Sequence, residues 1–72
     1  MALGRVLRCQ RKLARMTQEE LGLTADVQRN FVSEIERGQK QASVVTLFKL
    51  ATALRLEPHE FVRLISEEMK PR

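Results

Sequence analysis

The side chains that could take part in catalysis are few in this sequence, and they form no recognisable arrangement. His59 is the only histidine and Cys9 the only cysteine in 72 residues, and no serine or carboxylate stands with them in a nucleophile or metal-ligand pattern. Glu57 and Glu60 lie near His59, and Pro58 belongs to the same group of four residues. A cluster of this kind beside a proline is typical of a solvated first helical turn. We therefore expect no enzyme, no metal site and no cofactor.

Hydrogen-bonding side chains are concentrated between residues 28 and 40. In a helix, Val32, Ile35 and Glu36 would share one side of this segment. The positions that face elsewhere are Arg29, Asn30, Ser33 and Glu34. Their guanidinium, carboxamide, hydroxyl and carboxylate groups bind a polar partner through hydrogen bonds. A helix surface that contacts only water is the alternative interpretation for each single residue.

The charge of the chain is distributed unevenly. The net charge is +4, and residues 1–16 contain no acid but five cations, which are Arg5, Arg8, Arg11, Lys12 and Arg15. Residues 17–38 carry five acids against Arg29 and Arg37. The basic segment indicates a polyanionic partner, because cations release condensed counterions when they meet phosphates. The same imbalance also fits an ordinary solvated surface.

Two helices joined by a short turn are predicted in the middle of the chain. The sequence Thr17-Gln18-Glu19-Glu20 has the form of a capping box, so we expect a helix over residues 18–25. Asp26 suits the turn that follows, because aspartate tolerates a left-handed backbone better than most residues. A third helix is expected over residues 29–37, and Gly38 supplies its C-terminal stop.

Three further helices are predicted to flank this pair. The first covers residues 2–15, and its apolar face is formed by Leu3, Val6, Leu7, Gln10 and Leu13. Ser43 caps the fourth, whose predicted core residues are Val44, Leu47, Leu50, Ala51 and Leu54. Pro58 suits the first turn of the fifth, whose apolar residues spread over an arc of ~160°, wider than the ~100° that covers a core. Part of that face is expected to bind a second copy of the chain, through Val62, Ile65 and Met69.

Length and composition predict one small domain. A chain of 72 residues, 43% of them hydrophobic, is near the lower limit for a core without disulfides or metals. We expect a single all-α domain over residues 1–72. No stretch approaches the ~20 apolar residues of a membrane span, and the N-terminus lacks a signal-peptide pattern. A cytoplasmic protein without membrane contact or an evident small-molecule ligand is expected.

Several motifs in the middle of the chain resemble those of one known family. They are Thr17-Gln18-Glu19-Glu20-Leu21, Ala25-Asp26-Val27 and Phe31-Val32-Ser33-Glu34-Ile35-Glu36-Arg37-Gly38. Together with the surrounding apolar residues they resemble the Cro and lambda-repressor type of helix-turn-helix domain. The resemblance implies an all-α, five-helix bundle with its helix-turn-helix at about residues 17–37. In that family the first helix of the motif braces against the backbone of double-stranded DNA, and the second lies in the major groove.

The resemblance also implies roles for individual residues. The residues matching positions that face base edges are Arg29, Asn30, Ser33 and Glu34. Those matching positions that meet phosphates are Gln18, Gln28, Arg37, Gln39 and Lys40. A structural ion pair is implied between Arg11 and Glu36. Asp26 and Gln28 depart from the usual turn glycine and the usual serine or threonine cap, and Gly22 replaces the usual alanine.

The sequence is compatible with two alternative functions. The first is a transcriptional regulator, of the repressor or restriction-modification controller type, acting as a homodimer on a pseudo-palindromic operator with recognition helices ~34 Å apart. The second is a protein-interaction module, such as an antitoxin or an accessory subunit, which the acidic central segment would suit. Arg29 could bind guanine and Asn30 adenine, whereas the Glu34 carboxylate would help only by accepting from cytosine or by orienting Arg29.

Overall fold

The computed structural model describes residues 1–71 as five helices joined by short connections. Arg72, the last residue of the predicted domain, lies outside the described residues. The helices are α1 Ala2–Leu13, α2 Gln18–Ala25, α3 Arg29–Glu36, α4 Val44–Ala53 and α5 Pro58–Met69. No strand occurs within residues 1–71, and the predicted all-α, five-helix class is confirmed.

The capping signals determine where the helices begin. At the start of α2 the Thr17 hydroxyl accepts from the Glu20 backbone N–H at 3.0 Å, and the Thr17 backbone N–H donates to the Glu20 carboxylate at 2.8 Å. Ser43 caps α4 in the same way, accepting from the Thr46 backbone N–H at 3.2 Å. Pro58 occupies the first turn of α5, where its missing N–H would have no partner within the helix.

Left-handed residues other than glycine end three of the helices. Asp26 closes α2 with φ 58° and ψ 49°, as the sequence predicted. Arg15 and Arg55 adopt φ 59° and 61° in the turns after α1 and α4. The helix predicted to reach Arg15 therefore ends at Leu13, because a left-handed residue cannot continue a right-handed helix.

The core lies where all five helices meet. Six large side chains in it are completely buried: Phe61, Leu7, Leu21, Ile35, Leu50 and Val32. Helix α1 packs on α3 and α5, α2 packs on α3 and α4, and α4 packs on α5. In this arrangement α3 is held from behind by α1 and α2, and its outer side is left uncovered.

Two glycines permit close approach of backbone segments. A Cβ atom at Gly4 would lie 2.5 Å from the Ile35 carbonyl oxygen, and one at Gly22 would lie 2.6 Å from the Val27 carbonyl oxygen. Both contacts are shorter than any ordinary van der Waals distance. Glycine is therefore required where α1 crosses α3 and where α2 leads into the turn, which explains why Gly22 replaces the alanine usual in the family.

Two residues predicted to lie on buried faces are exposed. Val44 is 67% exposed and Leu13 is 71% exposed, so these two predictions are wrong. Each residue lies in a terminal turn, and the fully buried positions of its helix begin at Leu50 in α4 and end at Leu7 in α1. The apolar periodicity identifies the correct side of a helix but not how far the neighbouring helices cover it.

The strained turns predict a stabilising substitution. Arg55→Gly should raise the free energy of unfolding by about 0.5–1 kcal/mol, because the relief of the left-handed strain exceeds the added freedom of the unfolded chain. Urea denaturation measures this change. As a control, Lys49→Gly on the exposed side of α4 should lower the free energy of unfolding by about 1 kcal/mol. A loss of stability in both variants would contradict the assignment of strain to Arg55.

The capping box predicts a dependence of stability on pH. Hydrogen bonds from the Thr17 backbone N–H and hydroxyl hold the pKa of Glu20 below its usual 4.5. A lowered carboxyl pKa gives a stabilisation that is complete above the usual value and is lost as the pH falls through the folded-state pKa. Between about pH 5 and about pH 3 the natural chain should therefore lose more stability than Glu20→Gln, as followed by urea denaturation. Identical losses in the two proteins would exclude this contribution.

Candidate nucleic-acid interface

Helix α3 has one buried side and one polar side. Val32 and Ile35 are completely buried, whereas Arg29 and Asn30 are exposed and Ser33 is half-buried. The apolar residues fix the rotation of the helix about its axis, because burying them removes their surface from water. The polar side chains consequently project from the domain along one exposed surface.

The structure brings five of the predicted residues together around one cleft. The cleft has a volume of about 360 Å³ and is lined by Gln28, Asn30, Ser33, Glu34 and Arg37. Its walls carry carboxamide, hydroxyl, carboxylate and guanidinium groups, so both hydrogen-bond donors and acceptors face it. Side chains of this kind can distinguish base pairs by their edge groups.

Arg29 stands apart from this group. It lines a second cleft with residues of α2 and of the α2–α3 turn, among them Glu19 and Asp26. Gln28 borders both clefts. The two predicted base-contacting residues Arg29 and Asn30 are thus exposed on different sides of the start of α3.

The carboxamide of Gln28 is not used as a helix cap. Gln28 has the extended backbone of an N-cap, with φ −67° and ψ 142°, but its side chain makes no capping hydrogen bond. The hydroxyl of a serine or threonine at this position would accept a hydrogen bond from a backbone N–H in the first turn of the helix. The glutamine instead leaves its donor and acceptor available to an external group.

The chain turns sharply after α3 and exposes three predicted phosphate contacts. Gly38 has φ 77°, and its N–H donates to the Ile35 carbonyl at 3.0 Å. Glycine adopts this conformation without strain. Arg37, Gln39 and Lys40, which flank the turn, are all exposed.

The start of α2 offers unpaired backbone donors. The capping box satisfies the N–H groups of Thr17 and Glu20, whereas within residues 1–71 the N–H groups of Gln18 and Glu19 have no acceptor. These donors and the helix dipole favour an anion at this end of the helix. The Glu20 carboxylate folds back onto Thr17 and does not occupy this position.

Arg11 and Glu36 form an ion pair at the junction of α1 and α3. Arg11 donates from Nε to Glu36 Oε2 at 2.7 Å and from Nη2 to Oε1 at 3.0 Å, and its Nη1 donates to the Met16 carbonyl at 2.8 Å. The Arg11 and Glu36 side chains are only 11% and 4% exposed. The hydrogen bonds with Glu36 raise the pKa of Arg11 above its usual value, so the guanidinium remains charged.

Sequence reasoning missed one contact of this ion pair. The Gln18 carboxamide donates from Nε2 to Glu36 Oε1 at 3.2 Å, so a predicted phosphate contact is held by a residue assigned a purely structural role. No sequence signal links residues 18 and 36, because their proximity depends on how α2 crosses α3.

Two surfaces of exposed apolar side chains lie on helices other than α3, one on α5 and one on α4. Of the three residues predicted as a dimer face, Val62 is 47% and Met69 is 70% exposed, and Ile65 is half-buried. Ile65 and Met69 line a groove of about 360 Å³ with the start of α1 and residues 41–42. The second surface was not predicted and consists of Val44, Val45 and Phe48 on α4, each more than half exposed.

Two other features, a metal-binding cluster and a membrane-spanning helix, are not found in the described part of the chain. Within residues 1–71 no three histidine, cysteine, aspartate or glutamate side chains are grouped so that they could hold a metal ion. None of the helices formed by these residues has the length and apolar character needed to cross a membrane.

The chain is similar to several known regulators. Control protein C.BamHI of Bacillus amyloliquefaciens is 34% identical over 47 residues, which cover 65% of this chain and 58% of that protein. The match thus spans less than two thirds of that relative. The solved structure of the restriction-modification controller protein C.AhdI from Aeromonas hydrophila is 40% identical, covers 83% of this chain and 91% of its own, and has a TM-score of 0.80.

A third similarity extends over almost the full chain. The clp gene regulator ClgR from C. glutamicum is 30% identical, covers 99% of this chain and 92% of its own, and has a TM-score of 0.88. A family model for the helix-turn-helix matches residues 7–61, which is well over half of the chain. The protein therefore belongs to the helix-turn-helix family of the Cro and lambda-repressor type.

Proposed function

We propose that this protein is a transcriptional regulator that binds double-stranded DNA in a sequence-specific manner. The observation that carries the proposal is the exposed polar side of α3, where Asn30, Ser33 and Arg37 border one cleft. An α-helix fits the major groove of B-form DNA. A polar side above the buried Val32 and Ile35 suits insertion into that groove.

Base contacts are assigned to the start and middle of α3. Asn30 can bind adenine through a bidentate amide contact, and Arg29 can bind guanine O6 and N7, each contributing ~1–3 kcal/mol of discrimination. Ser33 and Glu34 adjoin Asn30 in the cleft. Because Arg29 lies beside a different cleft, its base pair would be offset from the one that Asn30 contacts.

Phosphate contacts are assigned to the start of α2 and to the segments at both ends of α3. Gln18 belongs to the end of α2 with unpaired N–H groups, and Gln28, at the start of α3, has an unused carboxamide. Arg37, Gln39 and Lys40 form an exposed set beyond the C-terminal end of α3. Contacts on either side of a groove fix the register of a recognition helix but carry no sequence information.

The relatives support a controller function. C.AhdI is a restriction-modification controller protein and C.BamHI is a control protein. By similarity, we propose that this chain controls genes from an operator of pseudo-palindromic sequence, which two recognition helices contact ~34 Å apart. A regulator of this kind would act in the cytoplasm, where the DNA of bacteria such as those of the relatives lies.

The two recognition helices require a homodimer, which we assign to α5. Val62 and Met69 expose apolar surface beside the half-buried Ile65, and the adjoining groove can receive side chains of a second copy.

The exposed apolar surface of α4 favours a second candidate function, a protein-interaction module. Exposed apolar side chains that lie in a group mark contact with another protein.

DNA binding can be tested by titrating labelled duplex DNA at several salt concentrations. The affinity should fall steeply with salt, since each phosphate contact adds about −0.9 to the slope of log K against log salt concentration. A random duplex pool should yield a preferred sequence after selection. Absence of binding at low salt would reject DNA binding and leave the protein-interaction function.

The assigned roles predict different effects for two cationic residues. Arg29→Ala should relax preference at particular base pairs, with a loss of about 1–3 kcal/mol on the selected site. Lys40→Ala should weaken all sequences alike and reduce the salt slope by about 1. Affinities for the selected and for scrambled duplexes measure both effects, and equal behaviour of the two variants would contradict these roles.

The dimer face predicts a difference between two matched apolar positions. Val62 and Phe48 are 47% and 51% exposed, so glutamate at either position should leave the monomer folded. Val62→Glu should shift the protein to its 8.3 kDa monomer in sedimentation equilibrium at micromolar concentration, since it buries a charge in the interface. Phe48→Glu should leave the dimer intact. Dissociation by Phe48→Glu alone would assign the interface to α4.

A further inference from the structure

Glu36 joins three segments of the chain through one carboxylate. Its Oε1 accepts from Arg11 Nη2 at 3.0 Å and from Gln18 Nε2 at 3.2 Å, and its Oε2 accepts from Arg11 Nε at 2.7 Å. Arg11 also donates to the Met16 carbonyl at 2.8 Å. The last residue of α3, the side of α1 and the first residue of α2 thus meet at one hydrogen-bonded group.

The chemistry of the carboxylate fixes the orientation of the Gln18 carboxamide. An ionised carboxylate only accepts hydrogen bonds, so the amide nitrogen of Gln18, and not its oxygen, must face Glu36. One N–H of the amide is then occupied, and the other remains available. A phosphate oxygen is also an acceptor only, so this second N–H is the one that can bind it.

Arg11 prevents the Glu36 carboxylate from repelling a phosphate bound at Gln18. A lone carboxylate near a phosphate would repel it, but the two hydrogen bonds from Arg11 neutralise Glu36. The Arg11 and Glu36 side chains are largely buried, at 11% and 4% exposed. Gln18 is half-buried at the start of α2, so part of this residue remains accessible to a partner.

We propose that Glu36 is a positioning residue that holds the Gln18 carboxamide ready to bind a DNA phosphate. The inference rests on the proposed DNA binding. A free glutamine side chain must be ordered when it binds, and one already held by Glu36 avoids that cost. Glu36 thereby links the end of the recognition helix α3 to the phosphate contact of α2, without touching DNA itself.

A double-mutant cycle tests this role. Gln18→Ala is measured in the natural chain and in a chain carrying Arg11→Met and Glu36→Leu, which replaces the ion pair with apolar side chains and leaves no buried charge unpaired. In the natural chain the loss of a hydrogen bond to phosphate should weaken duplex binding about tenfold. In the apolar background Gln18→Ala should weaken it less than about twofold. Gln10→Ala, at a glutamine of α1 that is half-buried like Gln18 and lies outside the assigned contacts, should change affinity less than about twofold in both.

The outcomes separate this inference from DNA binding as such. Equal losses from Gln18→Ala in the two backgrounds would overturn the positioning role, and a larger loss in the apolar background would show that Glu36 withholds Gln18 from DNA. Failure of the natural chain to bind duplex at low salt would instead reject the proposed function.

A measurement on the free natural protein covers the case in which the apolar background does not fold. The NMR order parameter of the Gln18 side-chain amide should approach the ~0.85 of rigid groups, whereas that of the exposed Gln39 should lie below about 0.6. A Gln18 amide as mobile as that of Gln39 would overturn the proposal.

Discussion

The buried ion pair between Arg11 and Glu36 is the interaction on which the rest of the structure depends. Two charges with side chains only 11% and 4% exposed are stable only if each satisfies the other, because an unpaired buried charge is strongly destabilising. The two hydrogen bonds between them are directional and fix the end of α3 against α1. Gly4 allows the helix backbones to approach closely enough for this contact.

The same constraint determines which side of α3 faces solvent. With Glu36 turned toward α1, and with Val32 and Ile35 in the core, the polar residues between them have no room inside the domain. The turn after α2 completes the arrangement, since the left-handed Asp26 and the small Gly22 set the crossing of α2 and α3. The exposure of this polar surface therefore arises from packing behind the helix, and not from any property of the exposed residues.

The proposed interface combines rigid and adaptable parts. The donors at the start of α2 and the Gln18 carboxamide are held by the capping box and by Glu36, whereas Arg37, Gln39 and Lys40 lie exposed around a glycine turn. Rigid donors favour a fixed register, and long exposed cations adapt to the backbone of the partner. The exposed apolar side chains of α4 and α5 belong to helices outside the α2–α3 pair.

The sequence by itself determined the features that depend on neighbouring residues. Capping at Thr17 and Ser43, the left-handed Asp26 and the buried side of α3 are local consequences of side-chain chemistry and helical periodicity. Only the tertiary structure decided how far each face is covered, which left Val44 exposed. It alone brought Gln18 to Glu36, because contacts between residues distant in the chain depend on the angles at which helices cross.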